Sequence, residues 1–435
     1  MKVGLPSGWA EASFGTITVN HDGTRVPVKA SDRAARRGGY RYFGAQGVID
    51  YIDDYLFDGI YLLIAEDGAN LVSRTQPIAE IATGQFWVNN HAHVVESVNG
   101  ISLKFLKHFM NGNSLHGAIR GTAQPKLTQA DLNRLCVPVP PTAEQNRITA
   151  AIEEQFSRLD AGVAMLERVR QNIKRMRAAI FESAVTEWIG EGFPQIRLGD
   201  VLREPLRNGH SAKADPLGTI PVLTLTAVTL DDFGTHNIKM TAANPKRVRD
   251  LWIQPGDLLI ERSNTRELVG TACLYRGRPN LAVYPDLVIR ARVDDRVVPE
   301  YAELVLKAPR SRRYFQQRAQ GISGTMPKID QQAIEDLVFT LPSPEMQAAI
   351  VQEAERRLTL LGSLQGGLEL VAKRSSSLRS SILTAAFSGQ LASQDPNDEP
   401  ASVLLERIAA ERTAPNGHKT TRARKPRVPR EEVTA

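Results

Sequence analysis

An internal repeat constrains this chain more than any other feature. The segments QPKLTQADLNRLCVPVPPTAEQNRI (124–148) and MPKIDQQAIEDLVFTLPSPEMQAAI (326–350) align without a gap at an offset of 202. Pro125 matches Pro327, Lys126 matches Lys328, Gln129 matches Gln331 and Leu135 matches Leu337; Pro140 matches Pro342, Gln145 matches Gln347 and Ile148 matches Ile350. The register holds through Leu166/Leu368, Arg177/Arg379, Ile180/Ile382 and Ala184/Ala386. A weaker match joins GWAEASFGTI (8–17) to GFPQIRLGDV (192–201) at an offset of 184. One register kept over such a distance marks a duplicated unit, a globular part followed by a helix.

The helices carry their own signals. Thr142 with Gln145 three positions on reads as a capping box, and Ser343-Pro344 as an N-cap followed by proline at the first helical position. Apolar residues recur every three or four positions at Ile148, Ile152, Phe156, Leu159, Val163, Leu166, Val169, Ile173, Met176, Ile180 and Ala184. The second copy repeats the stripe at Ile350, Ala354, Leu358, Leu361, Leu368, Val371, Leu378, Ile382 and Ala386, with Gln365 and Ser375 set into the seam. Each helix should span about 45 residues, roughly 65–70 Å. If the repeat has pseudo-two-fold symmetry the pair is antiparallel, because the first helix delivers the chain to the second globular part and the second must return; the alternative is two unrelated helices, each packed on its own domain.

The globular parts read as α+β. YLLIA and QFWVNNHAHVV are expected strands of the first, followed by a helix near 102–111. The second offers TIPVLTLTAV, GDLLIERSN, GTACLYR and LAVYPDLVIRARV, then a helix from Pro299 to about Gln317. The expected organisation is a globular domain at 1–140, a long helix at 141–190, a second domain at 191–342, a second long helix at 343–392, and a basic tail at 393–435 expected to be disordered.

Hydrophobic residues make up 42% of the chain, enough for true cores. Cys136 and Cys273 fall in different halves and apolar contexts, which points to a reducing cytosol rather than a disulfide framework. The amino terminus has no apolar signal region, and no stretch approaches the ~18 apolar residues of a membrane span. The net charge is +6, and residues 415–435 hold six basic and two acidic residues, so the remaining body is near +2. Such a body can bind nucleic acid through local patches only.

Catalytic motifs are missing. There is no GxxxxGK[ST] phosphate loop, no Glu-x-Lys or Asp-x-Lys pair, and no Cys/His set at zinc spacing. Asn244-Pro245-Lys246 is not the Asn/Asp-Pro-Pro-aromatic motif of amino-methyltransferases. His91 and His93 could share a strand face, but with no third ligand apparent a packed pair is the expectation, and neither a metal site nor a catalytic constellation is predicted.

The run PKLTQADLNRLCVPVPPTAEQNRI and its copy ending in LPSPEMQAAI resemble the domain–helix junction of specificity subunits of Type I restriction–modification enzymes. YRYFGAQGVIDYIDDYLFDGIYLLIAEDGAN and QPGDLLIERSNTRELVGTACLYR are similar to two types of target-recognition domain, and FSGQL (387–391) to the end of the second helix. The resemblance covers about residues 5–392. It implies a non-catalytic cytoplasmic subunit whose two domains each read half of a bipartite sequence in double-stranded DNA. The helices would set the spacing and dock two modification (methyltransferase) subunits, and restriction (translocase/nuclease) subunits could join. S-adenosylmethionine, ATP and Mg would belong to those partners, with no cofactor in this chain.

Loops after strands are where base edges and phosphates would be met, by Arg and Lys on guanine or phosphate and by Asn and Gln on adenine. The expected DNA contacts are Asn89, Asn90, Arg120, Gln124 and Lys126 in the first domain. In the second they are Arg262, Asn264, Arg266 and Lys328, the last beside a Gly321–Gly324 turn.

Overall fold

A computed structural model describes residues 4–115, 117–187, 192–321 and 326–413. It divides into unit 1, residues 1–164 with 371–435, and unit 2, residues 165–370. Each long helix, Thr142–Thr186 and Pro344–Phe387, therefore contributes one end to each unit.

Unit 1 is built on a six-stranded sheet. Its strand order is Thr18–Asn20, Ala92–Ser97, Phe57–Ala65, Ala79–Val88, Tyr40–Gly44 and Gly47–Ile52. All neighbours are antiparallel except Tyr40–Gly44 against Ala79–Val88. The apolar run 85–95, expected as one strand, is two. The chain turns at Asn89–His91, where the Asn89 side chain accepts the His91 amide at 2.8 Å, and the two strands flank Phe57–Ala65 on opposite sides. An asparagine that bonds the backbone two residues on is a turn-former, whatever the hydrophobicity around it. The helix Leu103–Gly112 is capped by Ser102 and packs Phe105, Leu106, Phe109 and Met110 into the core.

Unit 2 holds a four-stranded sheet ordered Arg207–Asn208, Val288–Ala291, Leu258–Glu261 and Ala272–Leu274, with a separate two-stranded antiparallel sheet of Ile220–Leu223 and Ile238–Thr241. The helix expected from Pro299 to about Gln317 is broken into Pro299–Lys307 and Pro309–Arg318. Pro309 forces Ala308 into an extended conformation, ψ 137°, and the helix restarts beyond it.

The duplication is visible bond for bond. Phe14 N donates to Leu135 O at 2.8 Å in unit 1, and Leu198 N donates to Leu337 O at 2.8 Å in unit 2. Gly15 and Gly199 sit so close to the following short helix that a Cβ would lie 2.9 Å from the Asn133 Cβ or 3.0 Å from the Glu335 Cβ. Gln145 and Gln347, both fully buried, make one network twice. Gln145 accepts from Ser102 N at 2.9 Å and donates to Gly100 O and Pro140 O. Gln347 accepts from Val298 N at 2.8 Å and donates to Arg296 O and Pro342 O. The capping box expected of Thr142 and Gln145 is thus not made. Gln145 pins the helix start to its globular part, and the Thr142 hydroxyl donates to Gly100 O.

The two helices run antiparallel within each unit. In unit 1, Arg147 bonds Asp398 at 2.5 Å, while farther along the first helix Arg379 pairs with Asp160 and stacks over Phe156. In unit 2, residues 180–187 share a groove with 346–357, and Arg177 and Phe181 share the next with 351–359. The apolar stripe is buried toward its ends, at Ile148, Ile152 and Ala184 and at Ile350, Ala354, Leu383 and Ala386, and at the isolated inner positions Ile173 and Leu361. Val163, Val169, Met176, Val371 and Leu378 instead stay exposed.

The segment expected to be a disordered tail begins with order. Ala401–Thr413 is a helix that buries Ala401, Leu404 and Ile408 in the unit 1 core. Ala401 N donates to Gly8 O at 2.8 Å, and Arg412 donates to Gly15 O and Thr18 O. Apolar residues at i, i+3 and i+7 drive this docking. The basic residues beyond it lie outside the described residues.

Candidate nucleic-acid interface

In unit 1 the expected contacts gather around Glu66–Gly68. Glu66 N donates to His91 O at 2.9 Å, Leu127 N to Glu66 O at 2.8 Å and Gly68 N to Pro125 O at 3.0 Å. These bonds bring the Asn89–His91 turn and the Arg120/Lys126 hairpin to one place. The hairpin turns through Gly121, φ +82°, where a side chain would also strike the Gln124 carbonyl at 2.7 Å.

Several side chains there are already engaged. Asn89 is buried in its own turn. Arg120 forms a two-pronged pair with Asp131 at 2.8 Å on each arm, and Thr128 donates to the same carboxylate. The guanidinium and the hydroxyl together hold Asp131 far below the usual carboxylate range. Lys126 is exposed, with its ammonium 3.1 Å from Glu66. Asn90 and Gln124 are exposed.

His91 and His93 do not act as a pair. His91 precedes the strand and faces Asp67 at 2.8 Å, in solvent. His93 is buried, with Nδ1 2.6 Å from Asp22 and Nε2 2.8 Å from Leu127 O. Asp22, Glu66 and His93 lie close enough together to be tested as metal ligands. Yet both ring nitrogens face protein acceptors, and Glu66 bonds Arg25 at 2.7 Å as well as Lys126. Burial pushes the Glu66 carboxyl up, but Arg25, His93 and Lys126 outweigh it and hold the group below its ordinary range. The cluster supplies its own cations, and an ion-pair network is the better description.

In unit 2, Arg262, Asn264, Arg266 and Lys328 are brought together. Arg262 N donates to Leu287 O at 2.8 Å, Ile329 N donates to Arg262 O at 2.9 Å, and Ser263 bridges Lys328. Asn264 is spent internally: its amide donates to buried Glu261 at 2.7 Å and its oxygen accepts Thr265 N. Burial pushes the Glu261 carboxyl up, opposed by the Thr229 hydroxyl and the Asn264 amide. Arg266 is exposed and reaches Gln316 O. Lys328 is exposed on a backbone doubly bonded to Gln320. Gly324 lies outside the described residues.

Two basic features escaped the sequence reading, although their arginine density was visible. Pro309–Arg318 packs against the 262–268 loop through Arg312 and Gln316, both donating to Glu267 O. Residues 25–41 carry six Arg and Lys side chains, with Arg33 over Tyr42 and Arg36 over Trp87 at 4.8 and 5.0 Å.

The profile of the family described as "Type I restriction modification DNA specificity domain" matches residues 6–175. The Type I restriction enzyme EcoKI specificity subunit of Escherichia coli K12 is 29% identical over 346 residues, 74% of each chain. A putative Type I specificity subunit of Haemophilus influenzae is 26% identical, over 81% of this chain and 88% of its own. Among solved structures, a chain from a study of assembly and conformational transition of the type I R-M system aligns with TM-score 0.66 at 17% identity. It covers 89% of this chain and 100% of its own. The HsdS subunit of Thermoanaerobacter tengcongensis aligns with TM-score 0.51, also at 17% identity, covering 89% and 99%. The repeated junction, the paired long helices and these likenesses agree: residues 6–175 match the Type I restriction modification DNA specificity domain, and the chain over most of its length is similar to specificity subunits of Type I restriction enzymes.

Proposed function

We propose that this chain confers DNA sequence specificity on a Type I restriction–modification complex. Each globular part reads one half of a bipartite site, and the helices set the gap between halves. The observation that carries this reading is the frame built twice with unlike loops upon it. The glutamine locks, the Gly15 and Gly199 contacts and the Phe14 and Leu198 hydrogen bonds coincide, while the 66–68 and 262–266 loops differ in sequence and charge. A reader of two different half-sites needs like supports and unlike loops. Arg262, Arg266, Lys328, Asn90 and Gln124 are the candidate contacts; Asn89, Arg120 and Asn264 organise the loops that present them.

The helix midsections support a docking role. Met165, Met176, Leu360, Leu364 and Leu370 expose half or more of their surface, which is costly unless a partner covers them. In this reading two modification subunits do so and bring S-adenosylmethionine. Restriction subunits would add ATP- and Mg-dependent work, and the complex would act in the cytoplasm. Relatives named as specificity subunits fit a non-catalytic chain. No helix among the described residues is long and apolar enough to cross a membrane.

The test is methylation mapping of a host expressing this chain with its modification partner. A split motif with two different halves, absent when the gene is deleted, is expected. A contiguous motif, or adenine methylation by this chain alone, would refute the reading.

A further inference from the structure

Glu66 and Arg262 occupy the same place in the two units. Each donates its backbone N–H across the sheet, to His91 O or Leu287 O, and each accepts on its carbonyl, from Leu127 N or Ile329 N. Each is followed by a residue bridged to the repeat lysine, Asp67 to Lys126 and Ser263 to Lys328. The side chains at this shared place have opposite charge.

The consequence follows from unit 1. There the carboxylate of Glu66 reaches the Lys126 ammonium at 3.1 Å, so this backbone arrangement lets the tips of the two side chains meet around one anionic group. Unit 2 repeats the backbone with two cations and no anion. Among the described residues, neither Arg262 nor Lys328 has a carboxylate within salt-bridge distance. The nearby Asp330 spends its side chain capping a helix, accepting Ala333 N at 2.8 Å. Two like charges borne on neighbouring backbone without a counter-ion are unfavourable unless an anion arrives.

We infer that Arg262 and Lys328 form a seat for a phosphodiester group of the DNA backbone, at the place where unit 1 carries its own carboxylate, Glu66. This rests on the DNA-reading role proposed above. It makes the two domains unequal: unit 2 gains two phosphate-directed cations, while Lys126 in unit 1 is already neutralised. Such contacts position the duplex and carry no sequence information.

The experiment measures binding of the full chain, co-purified with its modification subunits, to a duplex carrying the mapped site, across a series of KCl concentrations. Each lost phosphate contact lowers the slope of log K against log salt by about 0.9, or about five-fold in affinity at 0.15 M salt. Arg262→Gln and Lys328→Gln should each show this loss, with the methylated sequence unchanged. Arg262→Lys should retain the wild-type slope. Arg262→Glu recreates the pair of unit 1 and should lower the slope by about 1.8, since it also engages Lys328. Lys126→Gln should change affinity less than about two-fold. Thermal melts establish folding, and exposed Lys328 carries the test if the Arg262 variants fail to fold. Unchanged slopes for Lys328→Gln, or a Lys126→Gln loss equal to it, overturn the seat while leaving the DNA-reading role standing. A wild-type complex that binds duplex without salt dependence sinks both.

Discussion

Replacing Gln145 by methionine isolates the lock between helix and globular part. Methionine matches glutamine in length and flexibility, so the change removes hydrogen bonds with little change in packing. The Ser102 amide loses its acceptor at 2.9 Å and the Pro140 carbonyl its donor at 3.0 Å, whereas the Gly100 carbonyl keeps the Thr142 hydroxyl at 3.0 Å. An orphaned buried donor costs about 1–3 kcal/mol and a lost ordinary bond about 1, giving about 2–4 kcal/mol. For a unit of this size each kcal/mol moves Tm by about 2–4 °C, so a fall of about 4–16 °C is expected. Gln347→Met should cost at least as much, because Pro344 stands where Thr142 does and has no hydroxyl to keep Arg296 O satisfied. Calorimetry of the full chain measures the loss, and hydrogen exchange at the Ser102 and Val298 amides localises it. A change below about 0.5 kcal/mol in either variant, or undiminished protection at those amides, refutes the lock.

Three further outcomes follow from the structure. Burial, with Lys107 beside it, pushes the His108 ring down to about 4 from its usual 6.5. The unfolded chain therefore binds a proton that the folded chain refuses. His108's contribution is intact above pH 6.5 and is lost as pH falls toward 4, about 3 kcal/mol in all. His108→Gln should flatten the acid limb of stability measured in urea, and an equally steep limb would defeat the argument. Gly15→Ala and Gly199→Ala should each destabilise by about 1–3 kcal/mol, by pushing a methyl into Asn133 or Glu335; unequal melts would deny the shared frame. Leu404→Ala should lower the stability of unit 1 by about 2–4 kcal/mol. A chain truncated before Ser393 that melts like the whole would show the terminal helix to be dispensable.

What could be read from the sequence was local and repeated. Ile148, Ile152, Ile350 and Ala354 advertise the buried helix ends through spacing alone, and the letters of Gln145 and Gln347 recur in register. Their purpose could not be read, because a buried glutamine in a first helical turn looks like a cap until its partners, 43 and 49 residues away, are known. Pro309 and the turn-forming Asn89 were legible and outweighed by the apolar runs around them. The candidate site suffered most. A polar side chain in a loop is counted as available, but Arg120 and Asn264 are claimed by Asp131 and Glu261, and charge in a sequence does not reveal pairing.

The globular parts share little sequence in any one register for a physical reason that the structure exposes. Phe14 and Leu198 correspond at a separation of 184 and Lys126 and Lys328 at 202, while Glu66 and Arg262 correspond at 196. The register therefore slips twice between fixed anchors, and no single offset can follow it. Leu62-Leu63-Ile64 and Leu258-Leu259-Ile260 are the sequence trace of the middle anchor, buried in each unit within the strand that runs directly into Glu66 or Arg262. Insertions are tolerated between anchors because loop closure costs little with added length. They are not tolerated at the anchors, where a one-residue shift would turn every side chain to the wrong face. Divergence is thus channelled into the loops and the residue borne at each anchor, and a change from Glu66 to Arg262 alters what a domain can bind without disturbing how it is held.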